Sequence, residues 1–598
     1  MKRNDHALLW GILCLVTLHF VFVSFGLSPG RGRLGDVDCY TRLNHVLRFY
    51  ETGSWYDITV ARSNAPYGET IHWTRPLDVL LISGAWLLTP FLDFKEALFW
   101  WGWLIGPLLQ VAALIFLLWA TRPLFDHQEV SLIGLLFICQ PGILSYYLVG
   151  SPDHHGLLLT VFILAMGFTL RLLLNPFRPG LCYAAGAINT LSLWISVESF
   201  LPLLLNIAAL GIVWIMMNRD YARKNFHFYL GFFITSGIAL LLIRPWYDFF
   251  QEEYDRLSFV HLSIFGFIAL FWLVVLRLNR LSDFFKRFAN RIFIALAGVT
   301  VLIITIWHYY PKVFGGPFAD VDPRVFPIWL NKIYNFQPLI SHKGFHADQF
   351  FLLLGPVIPA IPFVLYRLWK EKREEYQMWL YVFIGLLIFL PVSLYQARWV
   401  PYAVVISLIP LTELLYRVLT RQEPFLKGLL RPIGRALVVM IFCTGFIILG
   451  GLLPAAQDEG KTAHHVSLSR ICEYLDKGRW QNQSKRIVAF YFWGPEILYR
   501  THHEVIATPD HRNWQGILDT YAIMTAAHDE DALKIIRERK INLILLCPEA
   551  NEEEFYSMPN QESTFYRRLC EGAIPPWVRP ISLPPDLSHS FRLFEVID

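Results

Sequence analysis

Apolar runs of membrane-crossing length recur from the first residues of this 598-residue chain as far as Leu453, and they limit its fold more than any other feature. A run needs about 20 residues to cover a hydrocarbon core of about 30 Å as a helix. Inside lipid the backbone must satisfy its polar groups within the segment, so such runs are helical. They fall at Ala7–Leu27, Ala97–Ala120, Val130–Val149, Gly156–Leu174, Leu181–Ile195, Phe200–Met217, Phe228–Ile243, Phe259–Leu276, Ile292–Tyr310, Phe350–Leu368, Met378–Leu394, Val400–Leu415 and Ala436–Leu453. This pattern predicts a polytopic α-helical membrane protein of about thirteen transmembrane helices. With 55% hydrophobic and 17% charged residues, against about a quarter charged in soluble domains, a soluble fold is excluded. The net charge of +4 is spread along the chain, unlike the clustered basic face of a nucleic-acid binder.

Basic residues here mark topology. Met1-Lys2-Arg3 and Ala7–Leu27 resemble a signal peptide, but the run is long enough to span and no small-x-small cleavage site follows, so it reads as an uncleaved anchor. With a cytoplasmic N-terminus, the cytoplasmic loops Arg219–Lys224, Arg277–Arg291, Arg367–Arg373 and Arg417–Arg435 each carry several Lys or Arg, as the positive-inside rule requires. Leu77–Leu92, after Pro76, would invert every later loop if it crossed; it reads as an interfacial or re-entrant helix on the outer face. The expected layout is a membrane domain over 1–454, with long outer loops at 28–96 and 311–349, and an extracytoplasmic α/β domain over 455–598. The setting is a bacterial-type inner (plasma) membrane with the C-terminal domain periplasmic or extracellular. In that tail Ser484–Phe490 and Ile541–Cys547 read as strands and Asp529–Arg539 as a helix, an α/β alternation. The eight cysteines form no Cys-x-x-Cys pair, which argues against a zinc ribbon or redox motif; Cys547 and Cys570 can pair if the tail is outside.

The unusual polar residues gather in the outer loops. Asp36 and Asp38 follow the first helix. Two carboxylates at i and i+2 can share a hard cation, and they also suit the cap of the next helix, Tyr40–Tyr50. Asp153-His154-His155 offers a carboxylate and two imidazoles in a tight turn between long apolar helices, as caps or as ligands. Glu198 stands at another outer turn, and Asp320 and Asp322 lie in the 311–349 loop with Arg324, Lys332, His342 and His346. Arg398 sits at the outer end of a helix, where arginine binds phosphate or snorkels. In the tail, Arg500-Thr501-His502-His503 and Thr508-Pro509-Asp510-His511-Arg512-Asn513 are solvated loops or the lining of an acceptor surface.

Asp38-Cys39-Tyr40, then Ile71-His72-Trp73 before an outer helix, then Asp153-His154-His155, Arg398 and an outer tail occur in this order. The set resembles the catalytic subunit of oligosaccharyltransferases, among the membrane glycosyltransferases of GT-C fold, from the first loop through the last helix and weakly into the tail. The resemblance implies a GT-C-like membrane domain and a divalent cation, Mg2+ or Mn2+. It implies a polyprenyl-linked sugar or oligosaccharide donor and a protein, lipid or glycan acceptor. By resemblance Asp38 and Asp153 are metal ligands with His155 beside them, and Arg398 contacts the donor phosphate. Asp36, Asp38 and Asp153 form the catalytic set, with Asp36 or Asp38 orienting or deprotonating the acceptor. A cation and an arginine would stabilise the charge on a departing pyrophosphate. His72, Trp73, His502, His503, His511 and Arg512 become a possible acceptor or glycan surface.

Two departures stand out. The family's loop glutamate has no counterpart in Trp329-Leu330-Asn331-Lys332-Ile333-Tyr334-Asn335, leaving Glu198, Asp320 or Asp322 as substitutes. The Trp-Trp-Asp acceptor motif is also absent; Phe490-Tyr491-Phe492-Trp493-Gly494 is aromatic without the acid, which puts protein N-glycosylation in doubt. The alternatives are transfer from a polyprenyl monophosphate, a non-catalytic glycan-binding paralogue, or a transporter or flippase. Transport fits poorly, since transporters keep ionisable groups near the midplane and often show repeats.

Overall fold

The computed structural model describes residues 2–29, 32–217, 221–281, 283–333, 336–341, 344–371, 375–421, 430–453, 467–556 and 563–597. His342, Arg219, Arg373, the Tyr334-Asn335 pair and the expected domain boundary at 454/455 lie outside them. Nine helices among the described residues are long and apolar enough to cross a membrane, and a tenth span forms if the bent pair Ala347–Leu354 and Val357–Lys370 counts as one. The chain is a multi-pass membrane protein. The other expected spans are helical but shorter: the apolar helix Leu8–Ser24, His127–Ile138 and Pro179–Ile195. Val130–Val149 is therefore not one continuous span. Its helix stops at Ile138, and Pro141 opens a four-residue helix ending at Leu144. A proline disfavours helical geometry in the residue before it and donates no hydrogen bond. The freed segment 145–153 runs to the site.

Helix Arg75–Leu88, with 14 residues, is too short to span and exposes Val79, Trp86 and Leu87. His154–Leu174 is the central helix, 78% buried over its most apolar window, whereas Phe288–Tyr309 is unburied and peripheral. Gly106 lets the 145–153 segment press onto helix Phe94–Thr121: a Cβ there would stand 2.5 Å from the Leu148 carbonyl oxygen.

Beyond the membrane helices lie two small hairpins, β1 (Thr59–Val60) with β2 (Glu69–Thr70) and β3 (Ile340–Ser341) with β4 (Gly344–Phe345). The tail carries β5 (Arg486–Val488), β6 (Glu504–Val505), β7 (Leu543–Leu546), β8 (Val578–Ile581) and β9 (Arg592–Val596), in the order β6-β5-β7-β9-β8. The first three are parallel; β9 is antiparallel to β7 and β8. Leu543–Leu546 is buried throughout, as a covered central strand must be. Helix Asp529–Arg539 opens on three acids and closes on basic residues, complementing its dipole. Cys547 and Cys570 are free thiols, so the considered pairing is not formed.

The loop between helices Val37–Thr52 and Arg75–Leu88 is stitched into the tail. The Val505 amide donates to the Arg62 carbonyl at 2.8 Å and the Ala65 amide to Val505 at 3.1 Å. Arg62 donates to the carbonyls of Leu498, Thr501 and His503 at 2.8–3.0 Å. Arg539 donates to Asn64 Oδ1 and the Ala65 carbonyl. Under the helix Arg75–Leu88, buried Asp78 accepts from Arg42 at 3.0 Å and Arg75 at 3.1 Å and faces His45. Removing that carboxylate strands two buried guanidinium groups, so Asp78→Ala is expected to cost about 3–5 kcal/mol, read as a lower Tm in detergent.

Buried Glu69 accepts from Ser63, from Thr508 at 2.7 Å and from Asn513 at 3.1 Å. Burial, reinforced by the Asp510 charge, pushes its pKa up to about 8 from 4.5. The folded state thus keeps a proton that the unfolded chain releases, and stability falls as pH rises from 4.5 towards 8. Thermal unfolding from pH 5 to 9 should show this slope, and Glu69→Gln should flatten it; an unchanged slope contradicts the assignment.

Candidate functional site

Two helix starts build the site. Asp36, in extended conformation, caps helix Val37–Thr52 by accepting from the Cys39 amide at 3.0 Å. Asp153 caps the central helix, taking the His154 amide at 2.6 Å and its ring Nδ1 at 2.7 Å. Capping and chemistry are compatible here, because both acids also face open space. From Asp153 a polar chain runs across the tail-side ends of the helices. His155 lies 3.7 Å from Asp153 Oδ2 through Nε2 and 3.6 Å from Glu198 Oε2 through Nδ1. Glu198 Oε1 accepts from Arg398 Nη1 at 2.6 Å, and Arg398 Nε donates to Gln396 at 3.1 Å. The guanidinium also stacks over Phe336 at 4.2 Å.

Two cavities meet at this chain. The larger, about 650 Å³, is walled by Asp36, Asp153, His155 and Arg398 on its polar side and by Leu27, Leu148, Leu353 and Val400 on its apolar side. The smaller, about 130 Å³, lies under the tail. It is lined by Asp38, His72, Glu198, Asp510 and His511 and by the aromatic rings of Trp329, Phe336 and Phe492. His155 and Arg398 line both cavities, so they stand at the junction.

The carboxylates repel one another. Protein packed around Asp36 raises its pKa, and the Asp153 charge adds to this although solvent still reaches it. Asp38 is pushed well above the carboxylate range by burial and by Asp36, Asp153 and Asp510, with Arg42 opposing. Burial acts the same way on Asp153, but the His154 and His155 imidazoles outweigh it and hold that carboxyl far below the usual range. Ligand atoms of Asp153, His154 and His155 lie within 4.8 Å of one another, and Asp36 faces the same cavity. This mixed carboxylate and imidazole set is a fit for a divalent cation.

The structure brings together Asp36, Asp38, Asp153, His155, Glu198 and Arg398 of the expected residues. Asp36 shares the larger cavity with Asp153 and His155, while Asp38 faces the smaller one. Among the substitutes for the missing glutamate, Glu198 reaches the site. Asp320 and Asp322 do not; they pair at the loop surface with Lys312 and Arg324. His72 and His511 line the smaller cavity, and Trp73 is buried at its edge between Arg42 and His154. Arg512 instead grips Asp255 through two contacts of 2.6 Å. His502 lies elsewhere, on Asp476, where it lines a separate cavity with Arg62, Asp93 and Arg500, and His503 is buried against the Leu475 carbonyl. Sequence reading missed Asp510 and Asp255. Asp510 stood in a quoted polar run, but only the folded tail brings it over Asp38.

No family model matches the sequence, and neither does any curated protein. Solved structures do match. The archaeal oligosaccharyltransferase AglB from Archaeoglobus fulgidus, in complex with an inhibitory peptide and a dolichol-phosphate, superposes with a TM-score of 0.77 at 13% identity, over 98% of this chain and 80% of that one. An Archaeoglobus fulgidus oligosaccharyltransferase in the apo form gives 0.73 at 14% identity, over 92% of this chain and 71% of that one. The same organism's enzyme tethered to an acceptor peptide containing the NVT sequon gives 0.71 at 14%, over 93% and 70%. The GT-C-like architecture expected from the sequence is the fold this chain has.

Proposed function

We propose that the chain is a glycosyltransferase that moves a sugar or oligosaccharide from a polyprenyl-linked phosphate or pyrophosphate donor to an acceptor on the outer face of the membrane. One observation carries this reading: Asp36, Asp153, His155 and Arg398 converge where a cavity with one apolar wall meets a second cavity roofed by the tail. The larger cavity suits an amphiphile, with its apolar chain against Leu27, Leu148 and Val400 and its phosphates at Arg398. The archaeal protein that shares this fold was solved with an inhibitory peptide and a dolichol-phosphate, which supports a lipid-phosphate site beside a second ligand site.

Asp36, Asp153 and His155 are the proposed ligands of a divalent cation, Mg2+ or Mn2+. Bound there, the cation supplies positive charge to the phosphate leaving group. Arg398 adds its own charge on the other side, held in place by Glu198. In the transfer the acceptor's nucleophile bonds to the anomeric carbon as the bond from that carbon to the phosphate oxygen breaks. Asp38 orients the acceptor from the smaller cavity, and its carboxylate form takes the proton the nucleophile loses; crowding by neighbouring acids makes it a stronger base than an ordinary aspartate. The acceptor, a protein, lipid or glycan, enters beneath Phe492. Without the Trp-Trp-Asp acid, glycosyl transfer rests on firmer ground than transfer to an Asn-x-Ser/Thr sequon. We place the site on the periplasmic or extracellular side of a bacterial-type inner membrane, with the N-terminus cytoplasmic.

Comparing the glycans and lipid-linked sugars of cells with and without the protein identifies the acceptor class. In cells complemented with Asp36→Asn, Asp153→Asn or Arg398→Ala, transfer is expected to fall about 100-fold or more with the protein still present in the membrane. Wild-type transfer by any of the three variants sinks the reading. A chelator added to purified enzyme should abolish transfer, and Mg2+ or Mn2+ should restore it.

A further inference from the structure

A second group of ligating side chains lies above the donor site. His72 of the outer loop and Asp510 and His511 of the tail each offer a ligand atom, all within 4.8 Å of one another. His72 Nδ1 is 3.2 Å from Asp510 Oδ2, and His511 Nδ1 is 3.7 Å from Asp510 Oδ1. Two ligands of one tetrahedral zinc ion, each about 2.0–2.2 Å from the metal, stand roughly 3.4 Å apart, so the gap between His72 Nδ1 and Asp510 Oδ2 matches shared ligation.

Ion pairing alone explains the cluster less well. His72 Nδ1 is buried and makes no directed hydrogen bond to its carboxylate neighbour, and 3.7 Å is too long for one from His511. The far sides of the ligands, by contrast, are firmly held. His511 Nε2 bonds Asp255 Oδ2 at 2.9 Å, and a carboxylate can only accept, so in the neutral ring this nitrogen carries the proton and Nδ1 presents its lone pair to the cluster. Asp255 is itself clamped by Arg512, and Asp510 Oδ1 accepts from the Arg512 amide at 2.8 Å. An imidazole whose other nitrogen donates to a fixed carboxylate is the usual support of a metal-bound histidine.

We propose that His72, Asp510 and His511 bind a transition-metal ion of the Zn2+ type, which fastens the tail to the outer loop and keeps one coordination position facing the smaller cavity. The donor chemistry selects the ion: two imidazoles and one carboxylate favour zinc-like metals over Mg2+ or Mn2+. All three side chains line that cavity, so the fourth ligand is a water or an acceptor atom within it. The site is separate from the Asp36/Asp153/His155 set and does not depend on that set being catalytic.

The test isolates this cluster by disabling the other. Full-length Asp153→Asn/His155→Gln protein, stripped with chelator, is titrated with Zn2+ against a chromophoric chelator. One tight Zn2+ per chain is expected, with a rise in Tm on zinc addition. Adding His72→Gln and His511→Gln should lower the zinc affinity at least 100-fold and remove the Tm response. No tight zinc in the first protein overturns the proposal, whether or not the four-fold variant folds. Equal zinc binding by both proteins also overturns it. Cobalt substitution in the first protein should give the visible bands of a four-coordinate site; only the bands of six-coordinate cobalt would count against it.

Discussion

Asp36, Asp38 and Asp153 come together beneath the tail with Asp510 near them, and their mutual repulsion is the constraint around which the tail-side end of the helices is arranged. Nearby cations are already committed. Arg42 is bonded to Asp78 and Arg398 to Glu198. Like charges in a partly dry site cost far more than in water, so relief must come from protons or from added cations. The raised pKa values of Asp36 and Asp38 express the first route. A ligand set with imidazoles beside carboxylates suits the second. In a donor-bound state the same cation would serve the leaving phosphate, which is why charge crowding and catalysis belong together in this reading.

The bilayer decides where such a site can be. Backbone and side-chain polarity is expensive in the hydrocarbon region, so the acids occupy the tail-side ends of helices, where capping gives them a structural role as well. The central helix His154–Leu174 fixes Asp153 and His155 rigidly because it is packed on nearly all sides. The outer loop and tail then close the space above. Arg62, Glu69 and Arg539 tie residues 62–69 into the tail, and that docking brings Asp510 and His511 over Asp38. The smaller cavity therefore exists only as a joint product of loop and tail.

Much of this was legible in the sequence, for physical reasons. Hydropathy is summed over whole segments, so helix positions emerged despite the broken runs at Pro141 and Gly355-Pro356. The Asp153-His154-His155 turn stood out because polar residues between apolar helices need a reason to be there. The tail was read well where its pattern was local, as in helix Asp529–Arg539. It was read poorly where function depended on contacts across the chain. His502 and His503 looked like Asp510 and His511 in composition, yet His503 packs inside the tail, His502 lines a separate cavity, and Asp510 and His511 face the cavity over Asp38. Glu198 and Arg398 are 200 positions apart, and their bond could not be read from spacing.

The most direct test is native mass spectrometry of the purified protein with a polyprenyl pyrophosphate. The account predicts a one-to-one lipid adduct that needs a divalent cation, is lost in Asp153→Asn and is weakened in Arg398→Ala. Equal adducts in all three proteins, independent of cation, would contradict a donor site at the junction of these two cavities.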